Sequence, residues 1–433
     1  MTQNIAAQRV TVAEGRGTRT LQSRVRSRAA MVAVASIALA TAVPALGGTA
    51  TAATTPHFSY TGSAYGTWAK VGSTVRSGPS AYLTFGCTTN GNLHKTNTSA
   101  GLSLAPLGKT GTVSTTGDTY ASPVKSRTTA ATAQVNLLNG LVKATAVKAA
   151  SSTTRTSTGY SLSSSGTTLT GLVVAGKAVS ANTAPNTRIN LAGFGYVIVN
   201  EQIRTSNGLT VNGLNLFVTV TNSLGVPVGS RVAVSQAVSA LTGPVAGVLG
   251  GYAYGTTATV GTVAKSDASF PKYMPCLGTG NVVRTNTGAG VAIGTAVSTG
   301  TITNTAQGSI SATSATGKLT STVQSANVIN GLVKATAIKA SARSTSNGST
   351  YSHTSSGSGF GTLSVTGHPT IGVSVAPNTK VELKGVGTLY LHRVIRTTRT
   401  VEVRMMELVI TTPVNGLAVG TNIKIGVAKS TVS

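Results

Sequence analysis

The chain states one message twice. The run Asn139-Gly140-Leu141-Val142-Lys143-Ala144-Thr145-Ala146 returns as Asn330-Gly331-Leu332-Val333-Lys334-Ala335-Thr336-Ala337, a shift of 191 residues. Ala184-Pro185-Asn186-Thr187 returns as Ala376-Pro377-Asn378-Thr379 at a shift of 192, and Ala64-Tyr65-Gly66 as Ala253-Tyr254-Gly255 at 189. Shifts this even mark two copies of one module of roughly 190 residues, which is domain-sized rather than solenoid-sized. A site used by both copies is expected to keep its chemistry at matched positions.

The segment before the copies predicts export. Arg9, Arg16, Arg19, Arg24, Arg26 and Arg28, with Glu14 the one acid among them, precede an apolar, Ala-rich stretch from Ala29 to Leu46. The small residues Ala50-Thr51-Ala52 follow, so residues 1–52 read as a signal peptide cleaved near Ala53. No two of those arginines are adjacent, which favours the general secretory route over the twin-arginine one. The stretch is also short of the roughly 20 strongly apolar residues that a spanning helix needs. The final residues, Val427 to Ser433, form no apolar tail and no basic stop. The expectation is a secreted, extracellular mature chain with no transmembrane anchor.

Beyond the leader the chain has 28 basic and 6 acidic residues, a net charge of +22. Charged residues are only 9% of the whole sequence against a usual quarter, while apolar residues are 40% and mean hydropathy is +0.19. That hydropathy is too high for a disordered chain. Faces of Ser and Thr over interiors of Val and Ala suit β-sheets, because helices would carry more Glu, Lys and Gln.

Local patterns agree. Leu214 to Val220 alternates with period two, as does its counterpart Met406 to Thr411. Arg188-Ile189-Asn190-Leu191 and Lys380-Val381-Glu382-Leu383 each run into a Gly-x-Gly bend, at Gly193 and Gly195 and at Gly385 and Gly387. Asn207-Gly208 is a hairpin signal, and Arg231-Val232-Ala233-Val234 matches Asn422-Ile423-Lys424-Ile425 as a late strand. The fold expected is all-β, two tandem homologous β-sandwich-like modules. Module 1 spans 57–240, a short apolar joint 241–250, and module 2 251–433. For 131–149, rich in Ala and Leu, a helix is the alternative to a strand.

Matched positions carry no proton-transfer groups. His57, His94, His353, His368 and His392 each face a different residue type in the other copy, and so do Asp118, Glu201, Asp267, Glu382, Glu402 and Glu407. General acid/base catalysis, glycoside hydrolysis and metal binding all need carboxylates or imidazoles at fixed separations. The expectation is therefore no catalytic, cofactor or metal site. His94 with Asp118, or His392 with Glu382, plus a serine, are the combinations left for a single-copy hydrolase triad. No Gly-x-Ser-x-Gly elbow, His-Glu-x-x-His helix or phosphate loop occurs.

Positive charge, by contrast, is kept in register. Arg76 pairs with Lys265, Lys95 with Arg284, Lys143 with Lys334, Lys148 with Lys339, Arg188 with Lys380 and Arg204 with Arg396. A bidentate clamp would demand Arg, so exchange with Lys points to long-range attraction to a polyanion. Solvated strand-face charge is the plainer alternative. For an exported protein the polyanions at hand are anionic cell-wall polymers and acidic polysaccharide. Aromatics at 4%, with Trp68 the single tryptophan, argue against specific nucleic-acid binding by base stacking. A carbohydrate-binding or adhesion role would use Tyr65 with Tyr254 and Tyr160 with Tyr351, the tyrosines matched between copies. Tyr65 fits a corner tyrosine equally well. Cys87 and Cys276 are also matched, 189 apart. They form either one disulfide joining the copies around a symmetry axis or two buried thiols.

The segments Asn139-Gly140-Leu141-Val142, Gly171-Leu172-Val173-Val174, Ala184-Pro185-Asn186-Thr187, Gly193-Phe194-Gly195-Tyr196-Val197, Asn200-Glu201-Gln202 and Leu209-Thr210-Val211-Asn212-Gly213-Leu214 resemble secreted actinobacterial surface proteins of the choice-of-anchor type, P group. The resemblance covers most of each module and rests on turn and strand patterns. It implies export, and in many members a C-terminal wall anchor that this chain does not display. Module 2 departs from it at His392-Arg393-Val394, where module 1 has Asn200-Glu201-Gln202.

Overall fold

The computed structural model describes residues 57–260 and 263–433, with the backbone alone described at 75, 76 and 263–265. The expected signal peptide lies outside the described residues. The described residues form one compact unit.

Each module is two antiparallel sheets packed face to face. In module 1 the first sheet runs in the order Thr187–Leu191, Gly195–Arg204, Gly208–Val218, Arg231–Val245, His57–Val71, Thr74–Ser77, with Leu83–Thr88 also on His57–Val71. The second runs Lys177–Ala178, Val173–Val174, Val142–Thr156, Val124–Leu137, Val113–Ala121, His94–Ser99, with three short strands beside it. Module 2 repeats the plan. Its first sheet runs Thr379–Leu383, Gly387–Thr397, Thr400–Ile410, Thr421–Val432, Leu249–Val260, Val263–Ser266. Its second is built on Ala315–Val328, which pairs with both Ile302–Ile310 and Val333–Ser346. No strand of one module pairs with a strand of the other among the described residues.

The repeated Asn-Gly motif makes a hairpin in both copies, so the stretch that a helix might have claimed is two strands. Leu138–Gly140 is a single 3-10 turn, with Asn139 at φ 52° and Asn330 at φ 53° in the matching turn. Asn is among the few side chains that adopt this left-handed conformation readily.

Sheet-to-sheet packing explains the Ser and Thr content. Along inward faces, hydroxyls of one sheet donate to backbone carbonyls of the other. Ser126 donates to Thr61 at 3.0 Å, Thr128 to Val238 at 2.9 Å, Ser151 to Leu209 at 2.7 Å and Thr153 to Ser239 at 3.0 Å. Ser235 returns the bond to Val147 at 2.8 Å. In module 1 this polar layer divides the apolar interior into three clusters. Module 2 places Leu319, Val323 and Ala342 where module 1 has Thr128, Thr132 and Ser151, and its interior is one continuous cluster.

The expected joint at 241–250 needs correcting. Arg231–Val245 is a single strand, paired to His57–Val71 through His57 opposite Val245, and the next strand begins at Leu249. Only residues 246–248 lie between. Leu241 and Leu249 are buried core, which is why the run is apolar. Ala246 N donates to Ser311 O at 2.8 Å and Val248 N to Ser433 O at 2.7 Å, fastening the connection to module 2.

Cys87 and Cys276 form a disulfide, with Cα atoms 5.8 Å apart. His57 and Ala246, another matched pair, line one cavity of ≈ 330 Å³ between the modules. Equivalent residues meet in this way where two copies approach around a local twofold axis.

Candidate functional site

The six acids cannot neutralise the surface, and the structure shows where they are used. Asp118 accepts from or pairs with His94 at 2.6 Å, on neighbouring strands of the second sheet. The His94 side chain is 69% exposed, and no hydroxyl is bonded to its other ring nitrogen among the described residues. Two members of a triad are therefore paired, with no serine joined to them among the described residues. His392 and Glu382 are not brought together. Glu382 pairs with Lys380 at 2.7 Å and accepts from Thr388 at 2.9 Å, while the His392 ring is held below its ordinary pKa, first by burial and then by the charge of Arg396. No group of three or more potential metal ligands occurs among the described residues.

Glu201, Glu402 and Glu407 are consumed in two equivalent polar clusters on the first sheets. In module 1 Glu201 accepts from Asn212 Nδ2 at 2.6 Å and Asn215 Nδ2 at 2.8 Å, and Arg231 Nε donates to Asn215 Oδ1 at 2.8 Å. In module 2 the carboxylate stands at the Asn215 position. Glu407 accepts from Arg393 at 2.6 Å, Arg404 at 2.9 Å and Asn422 at 3.0 Å, and Arg404 also holds Glu402 at 2.6 Å. Burial opposes ionisation of Glu407. Hydrogen bonds from Asn422 and Arg393, with the charge of Arg404, outweigh it and hold the carboxyl below the ordinary range. Residue-by-residue matching missed this cluster because the acid changed strands between copies. The signal was available: where Glu201 gives way to Arg393, Asn215 on the adjacent strand gives way to Glu407, so the carboxylate moves across rather than being lost.

An arginine and aromatic row crosses the first sheet of module 1. Arg188 lies 3.8 Å over the Tyr196 ring, Tyr196 stacks on Phe217 at 4.8 Å, and Arg231 stands over both Phe217 at 5.1 Å and Trp68 at 5.8 Å. The matched tyrosines are likewise engaged. Tyr254 is buried, with its hydroxyl pushed up to about 12 by that burial. Arg155 covers Tyr160 and Arg399 covers Tyr351.

The matched cations divide between the sheets. Arg188, Arg204, Lys380 and Arg396 belong to the first sheets, as do the strands holding Arg76 and Lys265, whose side chains lie outside the described residues. Lys95, Lys143, Lys148, Arg284, Lys334 and Lys339 belong to the second sheets. Among the described residues, every ion pair of a Lys or Arg is on the first sheet of module 2, made by Lys380, Arg393, Arg404 and Lys429. The second-sheet strands carry Asp118 as their single acid in module 1 and none in module 2, so their lysines and arginines far outnumber their carboxylates. Each second sheet also bears a groove at the equivalent place, ≈ 590 Å³ beside Lys109, Asn136, Lys143 and Thr145, and ≈ 340 Å³ beside Asn327, Lys334 and Thr336.

Comparison of the chain with models of known protein families, with curated proteins and with solved structures finds no match. Among the described residues no helix is long and apolar enough to cross a membrane.

Proposed function

We propose that this chain is a secreted, non-catalytic binding protein of the cell surface that associates through charge with anionic polymers of the cell wall or with acidic polysaccharide. The observation that carries this reading is the excess of lysine and arginine over carboxylate on the second sheets of both modules, whose described strands hold Asp118 as their single acid. Charges spread over an exposed sheet attract a polymer without demanding one fixed geometry, which suits the exchange of Lys for Arg between copies. Export, cleavage of residues 1–52 and membership of the choice-of-anchor surface family belong to the same proposal and rest on the sequence patterns.

The test is retention on purified cell walls. At low salt the protein is expected to stay bound, and at about 1 M salt, where the screening length falls to roughly 3 Å, to be released. Retention that ignores salt would end the electrostatic reading.

A further inference from the structure

The longest exact repeat in the chain, Asn139 to Ala146 and Asn330 to Ala337, has so far been explained only as a hairpin. It also builds the grooves. Gly140 at φ +91° and Gly331 at φ +88° turn the chain so that the Lys143 and Lys334 stems lie across them, and a Cβ at either glycine would collide with the lysine's methylenes. Each lysine's ammonium end thus lies over the turn of its own hairpin. Asn136 stands directly opposite Lys143, and Asn327 opposite Lys334. In module 1 the row continues, because Lys109 pairs with Asn136 from the other side.

The result in module 1 is Lys109, Asn136 and Lys143 abreast on three neighbouring strands, along a groove of ≈ 590 Å³ that also takes in Thr145 and Gly171. Lys109 and Lys143 are exposed, and among the described residues neither they nor the Asn136 amide have a side-chain hydrogen bond. At the same wall the Thr110 hydroxyl is buried, in a residue 7% exposed, without a partner. Module 2 has Ser298 in place of Lys109, its Thr299 hydroxyl is spent on Val291 N at 2.9 Å, and its groove is smaller.

We infer that the module 1 groove grips one oxyanion-bearing unit of the polymer, the anion lying between the Lys109 and Lys143 ammonium groups and a neighbouring hydroxyl or carbonyl meeting the Asn136 amide. The module 2 groove is a weaker copy. This rests on the polyanion reading and adds a defined subsite to it. Two ammonium groups accept a phosphodiester or a uronate carboxylate alike, and the amide between them reads the uncharged part of the unit.

The experiment measures binding of short oligo(glycerol phosphate), oligogalacturonate and a neutral oligosaccharide to the full chain by calorimetry. Lys143→Met and Lys384→Met remove the same charge, and only the first touches the groove. Lys143→Met is expected to weaken the better-bound anion by about tenfold, Lys384→Met by less than about twofold, and the charge-neutral Asn136→Ala by about fivefold. Whichever anionic oligomer binds more tightly names the source of the oxyanion. Equal losses from the two lysine variants, or an Asn136→Ala protein that binds as the parent does, would overturn the subsite while leaving salt-sensitive wall retention intact. Failure of retention itself would instead remove the reading beneath it.

Discussion

Glu201 and Glu407 fill the same polar cluster from different strands. Glu201 is opposite Asn212 in its hairpin, whereas Glu407, on the strand equivalent to that of Asn212 and Asn215, sits at the Asn215 position and receives Arg393 from the place of Glu201. The duplication therefore kept a carboxylate at the centre and redistributed its donors: two amides in module 1, two guanidiniums and an amide in module 2.

The two clusters should differ in sensitivity. Glu407→Gln strands Arg393 and Arg404 beside a neutral group and is expected to cost about 3 kcal/mol, in the range for breaking a buried ion pair. Glu201→Gln removes an acceptor from neutral amides and should cost about 1 kcal/mol. Denaturant unfolding reads both, and an equal or reversed ranking would contradict the assignment.

Acid should weaken the fold in two pH windows. The folded His392 binds its proton less readily than an unfolded one, so its contribution is complete above the usual 6.5 and is lost as pH falls from there through the lowered folded value. Its Nε2 is buried without a partner, so protonation finds no acceptor there. Glu407, held low, contributes above the usual 4.5 and loses that contribution as pH falls through its depressed folded value. His392→Asn, which installs the module 1 residue Asn200, should flatten the response in the first window and leave the second. Melting temperatures against pH decide this.

Joining Cys87 to Cys276 closes 189 residues of sequence, worth about 5 kcal/mol on the chain-entropy estimate. The Cys87→Ser, Cys276→Ser protein should melt at a clearly lower temperature and still show an all-β circular dichroism spectrum. An unchanged melting temperature would mean that the bond does not restrain the unfolded chain.

Packing in module 1 makes a sharper steric prediction. Phe85 lies over Gly62 and Gly117, and a Cβ at Gly62 would fall within its ring. Gly62→Ala should therefore destabilise by about 1–3 kcal/mol. In module 2 the Phe85 position is Met274, against Gly308 and Gly317. A Cβ at Gly308 would meet first the end of Leu249 and then the Met274 sulfur, and because both side chains can yield, Gly308→Ala should cost less.

Much of the fold was legible in the sequence because strands announce themselves by alternation and the copies corroborate each other: Leu214 to Val218 and Met406 to Ile410 are both strand. The boundary at 241–250 was misread because apolar residues mark a buried strand end as readily as a packed linker, and Leu241 is core. The polar clusters escaped because matching compares one position at a time, whereas a buried carboxylate is satisfied by neighbours on other strands. The grooves escaped for a different reason. Asn136 and Lys109 gain meaning from Lys143 only when three strands lie abreast, and strand order is not written in local periodicity.

The central claim is that the second sheets, not the net charge as a whole, hold the polymer. It is tested most directly by comparing two quadruple variants of equal charge for binding to purified anionic wall polymer across a salt series. One carries Lys109→Gln, Lys143→Gln, Lys334→Gln and Lys339→Gln on the second sheets. The other carries Arg188→Gln, Arg204→Gln, Lys384→Gln and Arg396→Gln on the first sheets and their turns. The account predicts that the second-sheet variant loses most of its binding and its salt dependence while the first-sheet variant keeps both. Equal losses from the two would contradict it.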